Sequence, residues 1–188
     1  MLALGGVALG GLAVVVVAGC GSATQHSVGP MMGGGSRYHD SGSTCRAPRL
    51  PPGQVVAISV GDMGMTQMMG GTAAAGERMR LVAAPPSVRA GKVTLVVSNR
   101  GWRTHELVIL PLAVNAQAGQ RTSGANGRVP EGASVGEASK SCSSGKGEGI
   151  TSGSVGWTTL SLPAGRYELI CNLQNHYADG MHQELDVI

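Results

Sequence analysis

At 188 residues, 42% of them hydrophobic, the chain has material for one packed domain with extensions, and nothing argues for two. Its 31 glycines, nine prolines and complete lack of Phe disfavour long helices and predict many short strands joined by turns. The formal charge of +3 is small and its Lys and Arg residues are scattered, with no basic run and no interleaved aromatics, which excludes a nucleic-acid-binding role.

Residues 1–19 carry no charge and contain the apolar run VALGGLAVVVVAGC, ending in Val17-Ala18-Gly19-Cys20 before Gly21-Ser22. This resembles a bacterial lipobox, in which Cys20 would receive a diacylglyceryl group and become the new N-terminus. The absence of Lys or Arg ahead of the run departs from that pattern. A plain signal peptide and an uncleaved anchor helix are the other readings, and all three place the rest of the chain outside the cytoplasm, tethered to the membrane in two of them. Residues 20–53 mix Gly, Ser, Pro and polar residues without apolar periodicity and read as a flexible tether.

From Gln54 the texture changes. QVVAISV and MRLV are strand-like, and KVTLVVSN alternates with Val93, Leu95 and Val97 on one face. HELVIL follows the turn Asn99-Arg100-Gly101. Residues 113–156 then form a long insertion rich in Gly, Ser and Ala, in which only GEASK suggests a helical turn. WTTLSL, RYELIC after the turn Pro163-Ala164-Gly165, and QELDVI close the chain. Seven or eight short strands without a βαβ rhythm predict an all-β antiparallel sandwich spanning 54–188. Strand parity puts Tyr167, Leu169 and Cys171 on one face, with Arg166 and Glu168 on the other. Leu185 and Val187 point inward, so residues 171–183 connect two core strands.

That connection reads CNLQNHYADGM, a C-x4-H-x4-M spacing. Together with a histidine placed upstream after an N-x-G turn, it resembles the cupredoxins, the blue copper proteins, with the spacing most similar to the sulfocyanin and rusticyanin branch. The resemblance covers about residues 54–112 and 155–188. It implies a Greek-key β-sandwich and one type 1 copper ion held by His105, Cys171, His176 and Met181. The chemistry of the residues agrees: two imidazoles, a thiolate and a weak axial thioether suit an ion that alternates between Cu(I) and Cu(II). Cys and His also suit tetrahedral zinc, but Met is a poor zinc ligand. Many blue copper proteins carry Asn or Ser directly after the upstream histidine, where it ties the ligand loops together. Here Glu106 stands there and reads as an outward polar residue, which leaves Asn99 or Asn172 to make the tie if there is one. His182 reads as exposed, Trp102 and Trp157 as packing residues.

With Cys20 lipidated and Cys171 in the motif, Cys45 and Cys142 remain as a candidate disulfide in an exported protein, the alternative being two free thiols. Met63, Met65, Met68 and Met69 could make an accessory Cu(I) site, although adaptable packing explains them as well. A lone type 1 site offers no substrate position, and the H-x-H clusters of copper enzymes are missing from the sequence. The function expected is therefore not enzymatic. It is one-electron transfer with a cytochrome or terminal oxidase, with copper buffering or delivery to an exported cuproenzyme as the alternative.

Overall fold

The computed structural model describes residues 45–49, 51–62 and 79–188, all within the unit spanning residues 36–188. The lipobox-like segment with Cys20, most of the tether and the methionines at 63, 65, 68 and 69 lie outside the described residues. The described residues contain nine strands: β1 (Gln54–Gly61), β2 (Arg80–Ala84), β3 (Ser87–Val88), β4 (Gly91–Asn99), β5 (Leu107–Leu112), β6 (Gly136–Ala138), β7 (Val155–Leu162), β8 (Gly165–Ile170) and β9 (His182–Val187). They form two sheets, ordered β2-β1-β4-β7 and β3-β9-β8-β5-β6. Pairing is antiparallel except between β1 and β4 and between β3 and β9. The chain crosses between sheets at β2–β3, β3–β4, β4–β5, β6–β7 and β7–β8, giving the β-sandwich the sequence predicts, with parallel pairs at β1–β4 and β3–β9 where antiparallel pairing is expected.

The two-residue period of the strands decides what lies between the sheets. Val56, Ile58 and Val60 of β1 and Val93, Leu95 and Val97 of β4 meet Leu107 and Ile109 of β5, Tyr167 and Leu169 of β8, and Leu185 and Val187 of β9 in one core. Thr94 is buried on the opposite face of β4, where its hydroxyl shares a 2.7 Å hydrogen bond with that of Thr159 and donates to the Pro52 carbonyl at 2.6 Å.

β5 behaves differently. Leu107, Val108, Ile109 and Leu110 are all buried, because the insertion covers the outer face of the second sheet and packs Val129 with Val108, Leu110, Ile170 and Tyr177 in a second small core. A strand buried on both faces loses its alternation. GEASK is not helical: Gly136–Ala138 is β6, which pairs with β5 in the register Leu107↔Ala138. This strand and the two-residue β3 are the elements missing from the sequence reading.

Cys45 and Cys142 are joined, with their Cα atoms 5.2 Å apart and a sequence separation of 97. The bond ties the chain ahead of β1 to the insertion. Because it closes so long a loop, Cys45→Ser/Cys142→Ser is expected to lower stability by about 2–4 kcal/mol, most of it through the unfolded chain, as read by urea denaturation with and without the bond. A loss below about 0.5 kcal/mol would mean that the bond constrains little.

Candidate metal centre

His105 lies just before β5. A pair of backbone hydrogen bonds with Ile150 pins it, its N–H donating at 3.1 Å and its carbonyl accepting at 2.7 Å. Asn99, buried at the end of β4, shapes the approach: its side chain accepts from the Gly101 N–H at 2.8 Å and donates to the carbonyls of Arg103 at 2.7 Å and Ile150 at 2.8 Å. Cys171 follows the last residue of β8. The loop it opens turns back so that the Cys171 N–H donates to the Met181 carbonyl at 3.0 Å and the Met181 N–H donates to the His176 carbonyl at 3.1 Å.

The structure brings three of the four predicted donors, His105, Cys171 and His176, together. His105 Nδ1 and His176 Nδ1 are 3.2 Å apart, and Cys171 Sγ lies 3.3 Å from His176 Nδ1 and 3.8 Å from His105 Nδ1. Three donors sharing one first-row ion, at bond lengths of about 2.0 Å to nitrogen and about 2.3 Å to sulfur, would stand about 3.3–3.8 Å apart. The set fits a single ion. Met181 is fully buried in the same core cluster as Cys171. His105, Cys171 and Met181 are 0% exposed, and His176, at 6%, is the one of the four that reaches toward the surface.

Burial dominates the electrostatics of the three donors. Burial pushes the Cys171 thiol up to about 12, against hydrogen bonds from the Glu106 and Leu173 N–H groups that favour the thiolate. Burial, followed by the neighbouring His105, brings His176 down to about 4, and burial also lowers His105 despite the opposing pull of Asp62. In the metal-free protein at neutral pH the three groups are therefore an uncharged thiol and two uncharged imidazoles.

Glu106 is a correction to the sequence reading. It is 6% exposed, not outward, and its N–H donates to Cys171 Sγ at 3.3 Å. Its carboxyl accepts the Asn172 N–H, and burial followed by the nearby Glu137 and Glu131 raises it to about 7. Glu106 itself thus makes the tie between the two ligand segments. Asn172 extends it, since its side chain accepts from Val129 N–H at 2.7 Å and donates to the Val129 carbonyl at 2.8 Å and to Glu131 at 2.6 Å. Both halves of the insertion therefore brace the site. Gly127, with φ of 70°, passes so close to Asn175 that a Cβ would sit 2.2 Å from its side-chain oxygen. His182, read from sequence as exposed, is partly buried with its ring 5.3 Å from that of Tyr177. Trp102, expected to pack, is 49% exposed.

Two packed sheets thus carry a buried His, Cys and His cluster with a buried Met from the same loop, the donor types that the sequence resemblance to the cupredoxins implies for type 1 copper. No family model and no curated protein matches the chain. Among solved structures, reduced rusticyanin is similar with a TM-score of 0.42 and 14% identity over 73% of this chain and 82% of its own. Auracyanin A, a "blue" copper protein from the green thermophilic photosynthetic bacterium Chloroflexus aurantiacus, gives 0.41 and 19% over 71% and 99%. Auracyanin B gives 0.43 and 20% over 78% and 96%. At this level of likeness, the donor geometry decides what the site can hold.

Proposed function

We propose that this protein is an extracytoplasmic type 1 copper protein that carries single electrons between redox partners, such as a cytochrome or terminal oxidase, while a lipid on Cys20 holds it at the membrane. The observation that supports this most is the closed donor set: two imidazole nitrogens and a thiol within 3.8 Å of one another, buried, with Met181 held against the same segment by backbone hydrogen bonds. Copper bound there would supply one-electron exchange between Cu(II) and Cu(I), and a site filled by protein donors leaves no position for a substrate. The chain's own part is to hold the donors so that neither oxidation state demands rearrangement, and to keep water out. His176, the least buried of the four donors at 6%, is where we place the electron's route to a docked partner.

Titration of the purified protein with Cu(II) is expected to give a 1:1 complex with an intense blue band and a reversible potential. Each copper should release one proton near pH 7, that of the Cys171 thiol, because both histidines are already neutral there. Copper affinity should accordingly rise about tenfold per pH unit through the neutral range, approaching its plateau only as pH nears the thiol's value of about 12. A colourless complex, or no proton release in weakly buffered titrations, would sink this reading. Binding of several coppers with a preference for Cu(I) would favour copper delivery instead.

A further inference from the structure

Asp62, directly after β1, sits under the loop that leads to His105, with its side chain 3% exposed. Its carboxylate is gripped from several sides. Oδ1 accepts from the Trp102 N–H at 2.7 Å, the Arg103 N–H stands 3.4 Å from Oδ1 and 3.2 Å from Oδ2, and Arg103 Nε is 3.5 Å from Oδ2. Gly101 makes the room: a Cβ there would lie 1.9 Å from Asp62 Oδ1. This carboxylate faces the outer nitrogen of His105, with Nε2 and Oδ1 3.5 Å apart. Nε2 is buried, and among the described residues it has no hydrogen-bond partner at normal distance. The anchored carboxylate beside it is an acceptor that can take its proton.

We propose that the Asp62 carboxylate accepts the Nε2–H of His105, fixing the tautomer that turns a bare Nδ1 toward Cys171 and His176, and that its negative charge lowers the potential of a copper ion held there. The second half rests on the copper reading above; the first does not. A neutral imidazole carries one ring proton, so holding it on Nε2 leaves the Nδ1 lone pair free to bind metal. In the metal-free protein the 3.2 Å contact between the two Nδ1 atoms then has a fixed direction, with His176 donating and His105 accepting. A fixed anion next to the site stabilises Cu(II) more than Cu(I), because the extra charge on the oxidised ion is drawn to it. Asp62 is thus a positioning residue that acts through His105.

Full-length wild-type protein, Asp62→Asn and Asp62→Ala test both halves. Nitrogen-15 chemical shifts of the metal-free wild type at neutral pH are expected to show His105 protonated at Nε2 and His176 at Nδ1. The opposite assignment at His105 overturns the proposal, whether or not either variant folds. Asn keeps an acceptor oxygen but not the charge, so Asp62→Asn is expected to preserve the His105 tautomer and the blue band while weakening Cu(II) relative to Cu(I) by about tenfold or more. Each tenfold raises the midpoint by about 59 mV for a one-electron couple. Asp62→Ala should also disturb the tautomer and broaden the copper spectrum. Variants that lose thermal stability yet keep the wild-type potential and tautomer overturn the proposal. If wild-type protein binds no copper, the functional reading fails while the metal-free tautomer still decides the Asp62–His105 contact.

Discussion

Cys171→Ser is expected to abolish the blue band and to cut Cu(II) affinity by more than the roughly 10–100-fold that follows loss of an outer-shell partner. The colour and much of the binding of a type 1 ion come from the thiolate, and a serine hydroxyl does not ionise in this setting. Burial already holds the Cys171 thiol at about 12, so only a bound cation can strip its proton, and an alcohol in the same dry site resists far more. The metal-free fold should tolerate the change. The Glu106 and Leu173 N–H groups that point at the sulfur keep an oxygen to donate to, so the stability loss should stay within about 1.5 kcal/mol. Absorption spectra during copper titration, set beside thermal unfolding of the metal-free variant, separate the two effects. A serine variant that stays blue would remove Cys171 from the site.

Three of the four candidate donors were legible because their spacing is local. Cys171, His176 and Met181 lie within one loop whose ends are fixed by the parity of β8 and β9, and a loop between two core strands has little freedom in where its side chains can go. What surrounds them was not legible, since it comes from distant segments. Asp62 acts on residues some forty positions later, and nothing near it in sequence marks it as a partner of His105. Glu106 was misread for a related reason: alternation along HELVIL assigns it outward, but β5 starts only at Leu107, and the outward side is roofed by the insertion that carries Glu131 and Glu137.

The same roof explains the fold-level misses. Alternation identifies a buried face only when the other face meets water, as in β1 and β2. LVIL in β5 has no alternation, and the insertion that covers it is so rich in Gly, Ser and Ala that it does not look like a core element. Val129 is enough, because together with Tyr177 it adds to the apolar surface that Val108, Leu110 and Ile170 already present on that face. In GEASK, the helix-forming tendency of Glu, Ala and Lys is outweighed by three residues of pairing with β5.

The insertion also supplies one half of a buried ion pair. Glu168 is 0% exposed on the roofed face of β8, where it accepts from the Gly119 N–H at 2.6 Å and the Tyr177 hydroxyl at 2.9 Å and pairs with Arg121 Nε. Arg121 in turn donates to the Pro111 carbonyl at 2.6 Å, and its N–H donates to the Tyr177 hydroxyl at 2.9 Å. Arg121→Ala removes the one cation paired with Glu168 among the described residues and leaves its carboxylate buried. Breaking a fully buried pair costs about 3–5 kcal/mol. Because the Arg121 side chain is 26% exposed, water can recover part of that loss, so about 2–3 kcal/mol is expected, a fall in Tm of about 6–10 °C. Glu168→Gln alone keeps an acceptor for Gly119 and Tyr177 but leaves the guanidinium without its anion, which solvent can reach, so it should cost less. If the penalty of Arg121→Ala is the stranded carboxylate, adding Glu168→Gln to it should restore stability, and the double variant will be more stable than Arg121→Ala alone. Strict additivity in thermal unfolding would instead mean that Arg121 stabilises through its contact with Pro111 and its packing. The insertion would then be held down by backbone and apolar contacts, with the buried ion pair contributing little.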